Sequence, residues 1–423
     1  MPGGYVRRIV DADLDELLDG LPAVALEGAK GVGKTATAER RATRVIRLDA
    51  AAERQAFAAA PFDLAPDGTL LLDEWQRYPA AWDQVRRAVD AGAPPGSFIL
   101  AGSSAPTGAA VHSGAGRIVV RRLRPLSLAE RGLDRPTVSL AGLLAGTQDT
   151  IAGQTAIGLD DYVEEIFASG FPGIRPLGPR LRRERLEGYV RATIEREFAE
   201  QGVVVRRPQT LLAWLRAFAA ATASTASYTS ILDAATAGLD HKPARDTTAV
   251  YRDVLARTFI LDSVEAWTPW FNPLKRLATA AKHYLADPAL ATVLLGLDAT
   301  SVVRGTDVRQ TALNQRPMLG PLFEHLVAQS VLVYAQAAGA LVGHVRQRDA
   351  RHEIDLVVER GQRAVAIEVK LAQVVDPKDV RHLLWLKSEL GAGLSDMVVV
   401  TTGTRAYRRP DGVAVVPAAL LGP

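Results

Sequence analysis

Near its start, the chain has a lysine and a hydroxyl residue spaced as in a phosphate-binding loop. The run GAKGVGKT at 28–35 follows the pattern G-x-x-x-x-G-K-[ST], directly after the apolar run 23–26. Glycines let backbone N–H groups wrap around a phosphate, and the positive dipole end of the following helix faces the anion. We expect Lys34 to reach the β- and γ-phosphates of ATP and Thr35 to bind Mg²⁺. The alternative is an ordinary glycine-rich turn. The residues predicted to bind ATP here are Gly28, Gly31, Val32, Gly33, Lys34, Thr35 and Ala36.

A second apolar run, 68–72, ends in the adjacent acids Asp73 and Glu74. A buried parallel strand of this kind brings its C-terminal end to the phosphates. We predict that Asp73 holds the metal, together with Thr35, and that Glu74 orients or deprotonates the attacking water. A third strand-like run, 97–101, leads to Ser103, whose hydroxyl either contacts the γ-phosphate or belongs to a Gly-Ser turn.

Arg117 follows a predicted helix and is the candidate for a further catalytic group. An arginine at this place can project across a subunit boundary toward a neighbour's γ-phosphate and stabilise charge in the transition state. This interpretation predicts a homo-oligomer. The alternative is an arginine that pairs with the C-terminal dipole of its own helix.

Length and composition limit the class of protein. The 423 residues suffice for two or three domains, the formal net charge is only +3, and there is no cysteine. Disulfides, thiolate nucleophiles and cysteine-ligated zinc are therefore excluded. No apolar run approaches the ~18 to 20 residues that span a bilayer, so we expect no membrane partner and a cytoplasmic location.

The order of predicted elements divides the chain into four parts. Residues 1–135 alternate strands and helices, as an α/β domain with a parallel sheet does. Residues 136–207 are predicted to be a helical lid and connector, with 132–157 as the connecting stretch. Residues 208–298 have the helix, helix, helix, strand order of a winged helix, which either binds DNA or packs as a lid. Its few basic candidates, Lys242, Arg245 and Arg252, favour the packing role. Residues 299–423 form a C-terminal α/β domain, with 300–316 as a polar loop.

The C-terminal part carries a second set of chemical groups. A predicted hairpin, 352–361 and 364–370, places Asp355 near Glu368, with Lys370 on the same face as Glu368. Glu324 lies upstream on an amphipathic helix. Two carboxylates can gather Mg²⁺ or Mn²⁺ beside a scissile phosphate, and a lysine can polarise the attacking water. The alternative is a surface hairpin with alternating charges.

These motifs together resemble bacterial and archaeal ATPases that join an AAA/RecA-like nucleotide domain to a region called DUF4143, whose end resembles PD-(D/E)XK nucleases. The resemblance rests chiefly on GAKGVGKT (28–35), LLLDEWQRYP (70–79) and HEIDLVVERGQRAVAIEVK (352–370). It implies ATP hydrolysis by the first two motifs. It also implies a nuclease-type metal centre, with the residues Glu324, Asp355, Glu368 and Lys370. Arg117 falls where the family carries a Gly-Arg.

Two functions compete at this stage. The first is an ATP-dependent DNA-processing enzyme that cuts DNA at the C-terminal metal site, and the sequence favours it because Asp355, Glu368 and Lys370 are all present. The second is an ATP-controlled switch that binds DNA or protein and whose nuclease-like domain does not cleave. A weaker third possibility is an ATPase linked to defence or to a toxin.

Overall fold

The computed structural model describes residues 4–60, 68–104, 116–237, 243–268, 280–304, 317–347 and 351–423. Lys242, one of the basic candidates for contact with DNA, lies outside the described residues. The predicted loop 300–316 lies mostly outside them too, and its first residues belong to a helix that ends at Arg304.

The N-terminal part is a parallel sheet. Its strands are β1 (Ala23–Glu27), β2 (Arg44–Arg47), β3 (Leu70–Asp73), β4 (Phe98–Gly102) and β5 (Val119–Arg122), in the spatial order β2-β3-β4-β1-β5. The inner strands β3 and β4 are buried along their whole length, as expected of a parallel sheet covered on both faces. Because all neighbours are parallel, the C-terminal ends of β1, β3 and β4 meet at one edge of the sheet. The predicted phosphate loop, the acid pair and Ser103 follow these three ends.

Helices surround this sheet and connect it to the rest of the chain. They are α1 (Val10–Gly20), α2 (Lys34–Glu39), α3 (Ala51–Ala59), α4 (Ala80–Asp90) and α5 (Leu128–Arg131). The last of these begins with a capping box in which Ser127 and Glu130 satisfy each other's backbone N–H groups.

The middle of the chain is helical, as predicted. It contains α7 (Leu159–Ala168), α8 (Pro179–Ala192), a π-helical turn (Thr193–Glu197), α9 (Phe198–Glu200), α10 (Pro208–Ala220), α11 (Tyr228–Ala235), α12 (Arg245–Arg257), α13 (Pro288–Leu295) and α14 (Ala299–Arg304). After α12, residues 260–264 run antiparallel to residues 282–286, with backbone hydrogen bonds between them. We call these two segments the antiparallel pair. The order of three helices and then this pair is the order predicted for a winged helix, and the winged-helix assignment stays a prediction.

The C-terminal part is a mixed sheet flanked by helices. Its helices are α15 (Leu319–Ala337) and α16 (Pro377–Leu390), and its strands are β8 (Leu341–Arg346), β9 (Glu353–Arg360), β10 (Arg363–Lys370), β11 (Leu394–Thr401), β12 (Arg405–Arg408) and β13 (Ala414–Pro417). The predicted hairpin is present as the antiparallel strands β9 and β10, with Val358 opposite Val365.

The stretch predicted as a connector is structured and belongs to this C-terminal part. It contains β6 (Val138–Ser139), α6 (Leu140–Ala145) and β7 (Gly153–Gln154), and a last strand, β14 (Leu421–Gly422), ends the chain. β7 extends the large sheet to the order β7-β12-β13-β11-β10-β9-β8, and β6 pairs with β14. The boundary predicted at residue 136 stays a prediction. Hydrogen bonds to residues more than 250 positions away hold these short strands, and no local pattern signals such pairing.

One large hydrophobic core runs through the three parts of the chain. It includes Leu26 of β1, Phe218 of α10 and Phe323 of α15. The rings of Phe323 and Tyr162 meet edge-on, with centroids 5.3 Å apart. The three parts are thus packed on one another through this shared core, while the N-terminal and C-terminal sheets each have a second, separate apolar cluster on another face. Among the helices of the described residues, none is both long and apolar enough to cross a membrane.

Candidate ATP site and candidate acidic site

The phosphate loop has the backbone shape that its glycines predict. Gly28 approaches the carbonyl oxygen of Leu123 so closely that no side chain would fit there. Gly33 has a φ of +101° and precedes the first residue of α2, so the helix begins at the loop. Lys34, at the start of α2, is buried. A positive helix end and a lysine therefore converge where phosphates would lie.

Lys34 and the two predicted Mg²⁺ ligands, Thr35 and Asp73, lie close together at the loop. The Lys34 Nζ atom donates to the carbonyl oxygens of Gly28 and Ala29, at 2.9 and 3.0 Å. Burial lowers the pKa of Lys34 to about 8, although neighbouring acids oppose this shift. The Thr35 hydroxyl donates to Asp73 Oδ1 at 2.9 Å, so the two predicted Mg²⁺ ligands are adjacent. The residues present fit a magnesium-bound triphosphate.

Glu74 is held by a residue that sequence analysis did not single out. The Gln76 amide nitrogen donates to Glu74 Oε2 at 2.6 Å and to the Ser103 hydroxyl at 3.1 Å. Glu74 itself has a φ of 53°, a left-handed conformation that is uncommon for a residue with a side chain. Gln76 thus joins the predicted water-activating carboxylate to the predicted γ-phosphate contact.

A buried arginine also supports the loop from outside it. Arg8 donates to the Val32 carbonyl at 2.8 Å and pairs with Glu130 at 2.9 Å. Since Glu130 belongs to the capping box of α5, Arg8 connects the phosphate loop to that helix. Arg8 lies outside any recognisable motif, and no local signal in the sequence identifies its role.

Arg117 lies away from its own phosphate loop. It precedes β5, whose N-terminal end is at the edge of the sheet opposite the phosphate loop. Its Nε atom lies 2.9 Å from Asp90 Oδ1. Arg117 therefore cannot serve its own subunit's site, and the predicted role toward a neighbouring subunit stays a prediction.

The acidic site in the C-terminal part contains a lysine from the middle of the chain. Lys282 lies on the antiparallel pair, and its Nζ atom is 2.8 Å from Glu324 Oε1 and 2.8 Å from Asp355 Oδ1. Its side chain is only 1% exposed. The Tyr284 hydroxyl donates to the same Glu324 oxygen at 2.6 Å. The second oxygen of Asp355 accepts the Val369 N–H at 2.8 Å. Both carboxylates are thereby occupied by donors from the protein.

Electrostatics in this site depend on Lys282. Burial alone would lower the pKa of Lys282, but Asp355 and Glu324 raise it above its usual value. Burial alone would raise the pKa of Asp355, and Lys282 keeps it below its usual value. Burial and the nearby Asp355 charge raise the pKa of Glu324 to about 7. Lys282 and Asp355 therefore form the fully charged pair of the site.

Glu368 and Lys370 lie beside this pair. Lys370 Nζ is 2.7 Å from Glu368 Oε1, while Glu368 Oε2 is buried without a hydrogen-bond partner. Burial and the Asp355 charge raise the pKa of Glu368 to about 8.

The residues of the acidic site fit a divalent ion poorly. Lys282 occupies the space between Glu324 and Asp355, where an ion bound by both carboxylates would lie. Within the part of the chain that the structure describes, no group of three or more aspartate, glutamate, histidine or cysteine side chains could hold a metal ion. The metal-binding role of Glu324, Asp355 and Glu368 stays a prediction.

The antiparallel pair also contacts the N-terminal part. Asp262 is 5% exposed and lies between two arginines, with its oxygens 3.0 Å from Arg122 and 2.7 Å from Arg124. Burial would raise the pKa of Asp262, but the arginines lower it to about 2. The Asp262 N–H donates to the Tyr284 carbonyl. A buried ion pair therefore lies at each side of the antiparallel pair, one toward β5 and one toward the acidic site.

Sequence families match three successive parts of the chain. Residues 21–131 match the AAA domain family, residues 159–301 match a domain of unknown function (DUF8612), and residues 319–421 match a domain of unknown function (DUF4143). The first match covers the phosphate loop, Asp73, Glu74 and Ser103. The predicted AAA and DUF4143 parts are thereby confirmed. The DUF8612 match covers most of the predicted lid and all of the predicted winged helix.

Relatives over the whole length have no stated activity. The uncharacterized protein Rv2008c of Mycobacterium tuberculosis is 27% identical over 97% of this chain and 83% of its own length. The Walker-type ATPase PABY2304 of Pyrococcus abyssi is 15% identical, with a TM-score of 0.39, over 70% of this chain and 99% of its own. The ORC2 protein of Aeropyrum pernix is 13% identical, with a TM-score of 0.31, over 72% of this chain and 95% of its own. Both scores are below 0.5, so neither likeness bears on the function of this chain.

Proposed function

We propose that this protein is an ATP-driven switch that binds DNA, and that its nuclease-like C-terminal domain binds without cutting. The observation that carries this proposal is the Lys282 ammonium between Glu324 and Asp355. A site already filled by a buried cation has little room for the metal ion that phosphodiester cleavage requires. The geometry thus favours the second of the two functions that the sequence leaves open.

ATP hydrolysis rests on the arrangement at the ends of β1, β3 and β4. Thr35 and Asp73 would hold Mg²⁺, which when bound neutralises charge on the β- and γ-phosphates. Lys34 would exchange its two carbonyl partners for phosphate oxygens. Glu74 would accept the proton of the attacking water. Gln76 and Ser103 would hold the carboxylate and the water in the orientation that this transfer needs.

Coupling to the C-terminal domain is assigned to the antiparallel pair. It contacts Arg122 and Arg124 through Asp262, and it contacts the acidic site through Lys282. A shift of β5 during the ATP cycle would therefore act on Lys282 through a few buried ionic contacts. Buried pairs of this kind have discrete arrangements, because a half-broken pair leaves an uncompensated charge.

DNA as the ligand is supported by the nuclease-like resemblance and by the helix order of 208–298. Arg245 on α12 is exposed and available to a phosphate backbone. DNA affinity measured by fluorescence anisotropy, with ATPγS or ADP present, tests the switch. We expect the two nucleotides to give different affinities, and we expect the difference to vanish in Lys34→Ala. Equal affinities in wild type, or binding of a protein partner but no DNA, would refute the proposal.

One observation favours DNA cleavage as a second candidate. The unpaired oxygen of Glu368 beside Lys370 is the kind of buried group that a metal ion would satisfy. Calorimetric titration with Mn²⁺ decides between the candidates. Binding in wild type that is lost in Asp355→Asn would support cleavage, and no binding above background would support the switch.

A further inference from the structure

The mouth of the phosphate loop carries ion pairs that the hydrolysis described above does not use. Lys30, inside the loop, has its Nζ atom 2.5 Å from Glu197 Oε1 and 3.0 Å from Glu200 Oε2. Arg77 lies on the short 3₁₀ turn just after Glu74, and its Nη2 atom is 2.5 Å from Glu200 Oε1. The Glu200 carboxylate therefore joins a cation of the phosphate loop to a cation from the end of β3.

These pairs lie close enough to the triphosphate position to respond to it. The Glu197 charge raises the pKa of Lys34, and the Glu74 charge raises the pKa of Glu197, so Glu197 is within electrostatic range of both groups. An incoming triphosphate brings several negative charges to a place where two carboxylates already lie. The phosphate and the carboxylates repel each other because both are negative. Lys30 and Arg77 are then stabilised more by ion pairs with the phosphate than by ion pairs with the carboxylates.

Exposure indicates that the pairs can exchange partners. The side chains of Lys30, Arg77 and Glu200 are 35%, 38% and 30% exposed. Ion pairs with this much solvent contact contribute only about 0–1 kcal/mol each. An arginine fork matches phosphate oxygens with two parallel hydrogen bonds, which is a stronger interaction.

We propose that Arg77 and Lys30 bind the γ-phosphate of ATP, and that Glu197 and Glu200 hold these two cations when no triphosphate is present. The proposal rests on the proposed ATPase function and adds two ligands to that site. ADP has no γ-phosphate, so the carboxylates recover Arg77 and Lys30 after hydrolysis. The exchange distinguishes the substrate from the product.

Release of the two carboxylates would free the segment 193–200, which packs against α12. Glu197 ends the π-helical turn and Glu200 ends α9. Single π-helical turns often lie at functional sites. Phe198, between the two acids, is buried and packs edge-on against Tyr251 of α12 at 6.0 Å. Movement of the segment 193–200 therefore reaches α12 by direct contact.

Binding affinities for ATPγS and ADP, both with Mg²⁺, test the ligand assignment. In Arg77→Met we expect ATPγS to bind about tenfold more weakly, the equivalent of one charged hydrogen bond, and ADP to change by less than about twofold. In Glu200→Gln we expect ATPγS to bind several-fold more tightly, since a competitor is removed. Arg87→Met and Glu195→Gln alter exposed residues on α4 and in the π-helical turn and serve as matched controls.

The outcomes separate this inference from the function on which it rests. Retained ADP binding shows that Arg77→Met is folded. If Arg77→Met loses affinity equally for ATPγS and ADP, or loses none for ATPγS, the inference is wrong. The proposed ATPase function still holds in that case, provided that wild type releases phosphate. If wild type neither binds nucleotide nor releases phosphate, both fail.

A cysteine reporter tests the movement, because the natural chain has no cysteine. Ala199→Cys places a thiol at an exposed position between the two acids. We expect ATPγS, but not ADP, to change its rate of reaction with a fluorescent maleimide. Glu184→Cys on α8 is the control and should react at one rate throughout. An unchanged rate at position 199 with every nucleotide would overturn the inference.

Discussion

The side-chain nitrogen of Lys282 lies 2.8 Å from Oδ1 of Asp355, although 73 positions separate the two residues in the chain. The contact joins the antiparallel pair to the start of the β9–β10 hairpin. It gives the buried Asp355 charge a permanent partner from the protein itself. An acid that could serve a nuclease therefore serves an ion pair between two parts of the fold.

Removal of the lysine charge should destabilise the protein strongly. Lys282→Met leaves Asp355 and Glu324 buried without their cation, and breaking such a pair costs about 3–5 kcal/mol. We expect a loss of this size in the free energy of unfolding, measured with urea. Asp355→Asn in the same chain should restore part of the loss, because the uncompensated charge is then gone.

Lys378→Met is the matched control for this variant. Its side chain is 74% exposed and pairs loosely with Asp376. We expect a change within about 0.5 kcal/mol, as for other surface substitutions. An equally small effect at Lys282 would show that the ion pair does not form.

Gln76→Ala should slow ATP hydrolysis without weakening ATP binding. The amide of Gln76 donates to Glu74 and Ser103, and among the described residues it forms no hydrogen bond with the phosphate loop. We expect kcat to fall by about 10- to 100-fold, a part of the ~10²- to 10⁴-fold that a general base contributes, while the affinity for ATPγS is preserved. Gln154→Ala, at an exposed position on β7, should leave both unchanged. A parallel loss of binding and turnover would indicate that Gln76 is only structural.

Glu368 should make the protein less stable as the pH rises. Its folded pKa of about 8 is above the ordinary glutamate value, so the folded protein retains a proton that the unfolded chain has lost. This contribution favours folding below about pH 4.5 and is lost as the pH rises through about 8. The unfolding free energies of wild type and Glu368→Gln are measured from pH 5 to 8. As the pH rises, wild type should lose a few kcal/mol of stability relative to Glu368→Gln. Parallel curves would contradict the raised pKa of the buried Glu368 carboxyl.

Arg117 should influence hydrolysis only in an assembled protein. Because it lies at the sheet edge opposite its own phosphate loop, a catalytic role requires a neighbouring subunit. We expect the specific ATPase activity of wild type to rise with protein concentration and that of Arg117→Ala to stay low throughout. Equal activity of the two proteins at every concentration would refute the finger role.

The sequence predicts well what depends on local spacing. Lys34, Thr35 and Asp73 are identified correctly as neighbours, since one loop and one strand end determine where they lie. The β9–β10 hairpin is likewise predicted from the alternation around Gly361. The stretch 132–157 is predicted only as a connector, and its strands β6 and β7 are not predicted, because they are short and form by pairing with the distant strands β14 and β12.

Lys282 illustrates what sequence reasoning does not reach. The motif KHYLAD is visible, but its lysine is an ordinary strand residue until the fold brings Glu324 and Asp355 to it. Gln76 is missed for a related reason: an amide after two acids has no chemistry of its own, and its role arises from its distance to Ser103. Roles that arise from contacts between distant segments require the structure.

The most direct test records ATP hydrolysis and DNA integrity in the same reaction. Purified protein is mixed with ATP, labelled linear, circular, branched and single-stranded DNA, and either Mg²⁺ or Mn²⁺, beside the variants Glu74→Gln and Asp355→Asn. We expect wild type to release phosphate, Glu74→Gln to release almost none, and every DNA to stay intact in all reactions. Cleavage by wild type that disappears in Asp355→Asn would contradict the account, since the acidic site would then hold a catalytic metal and not a lysine.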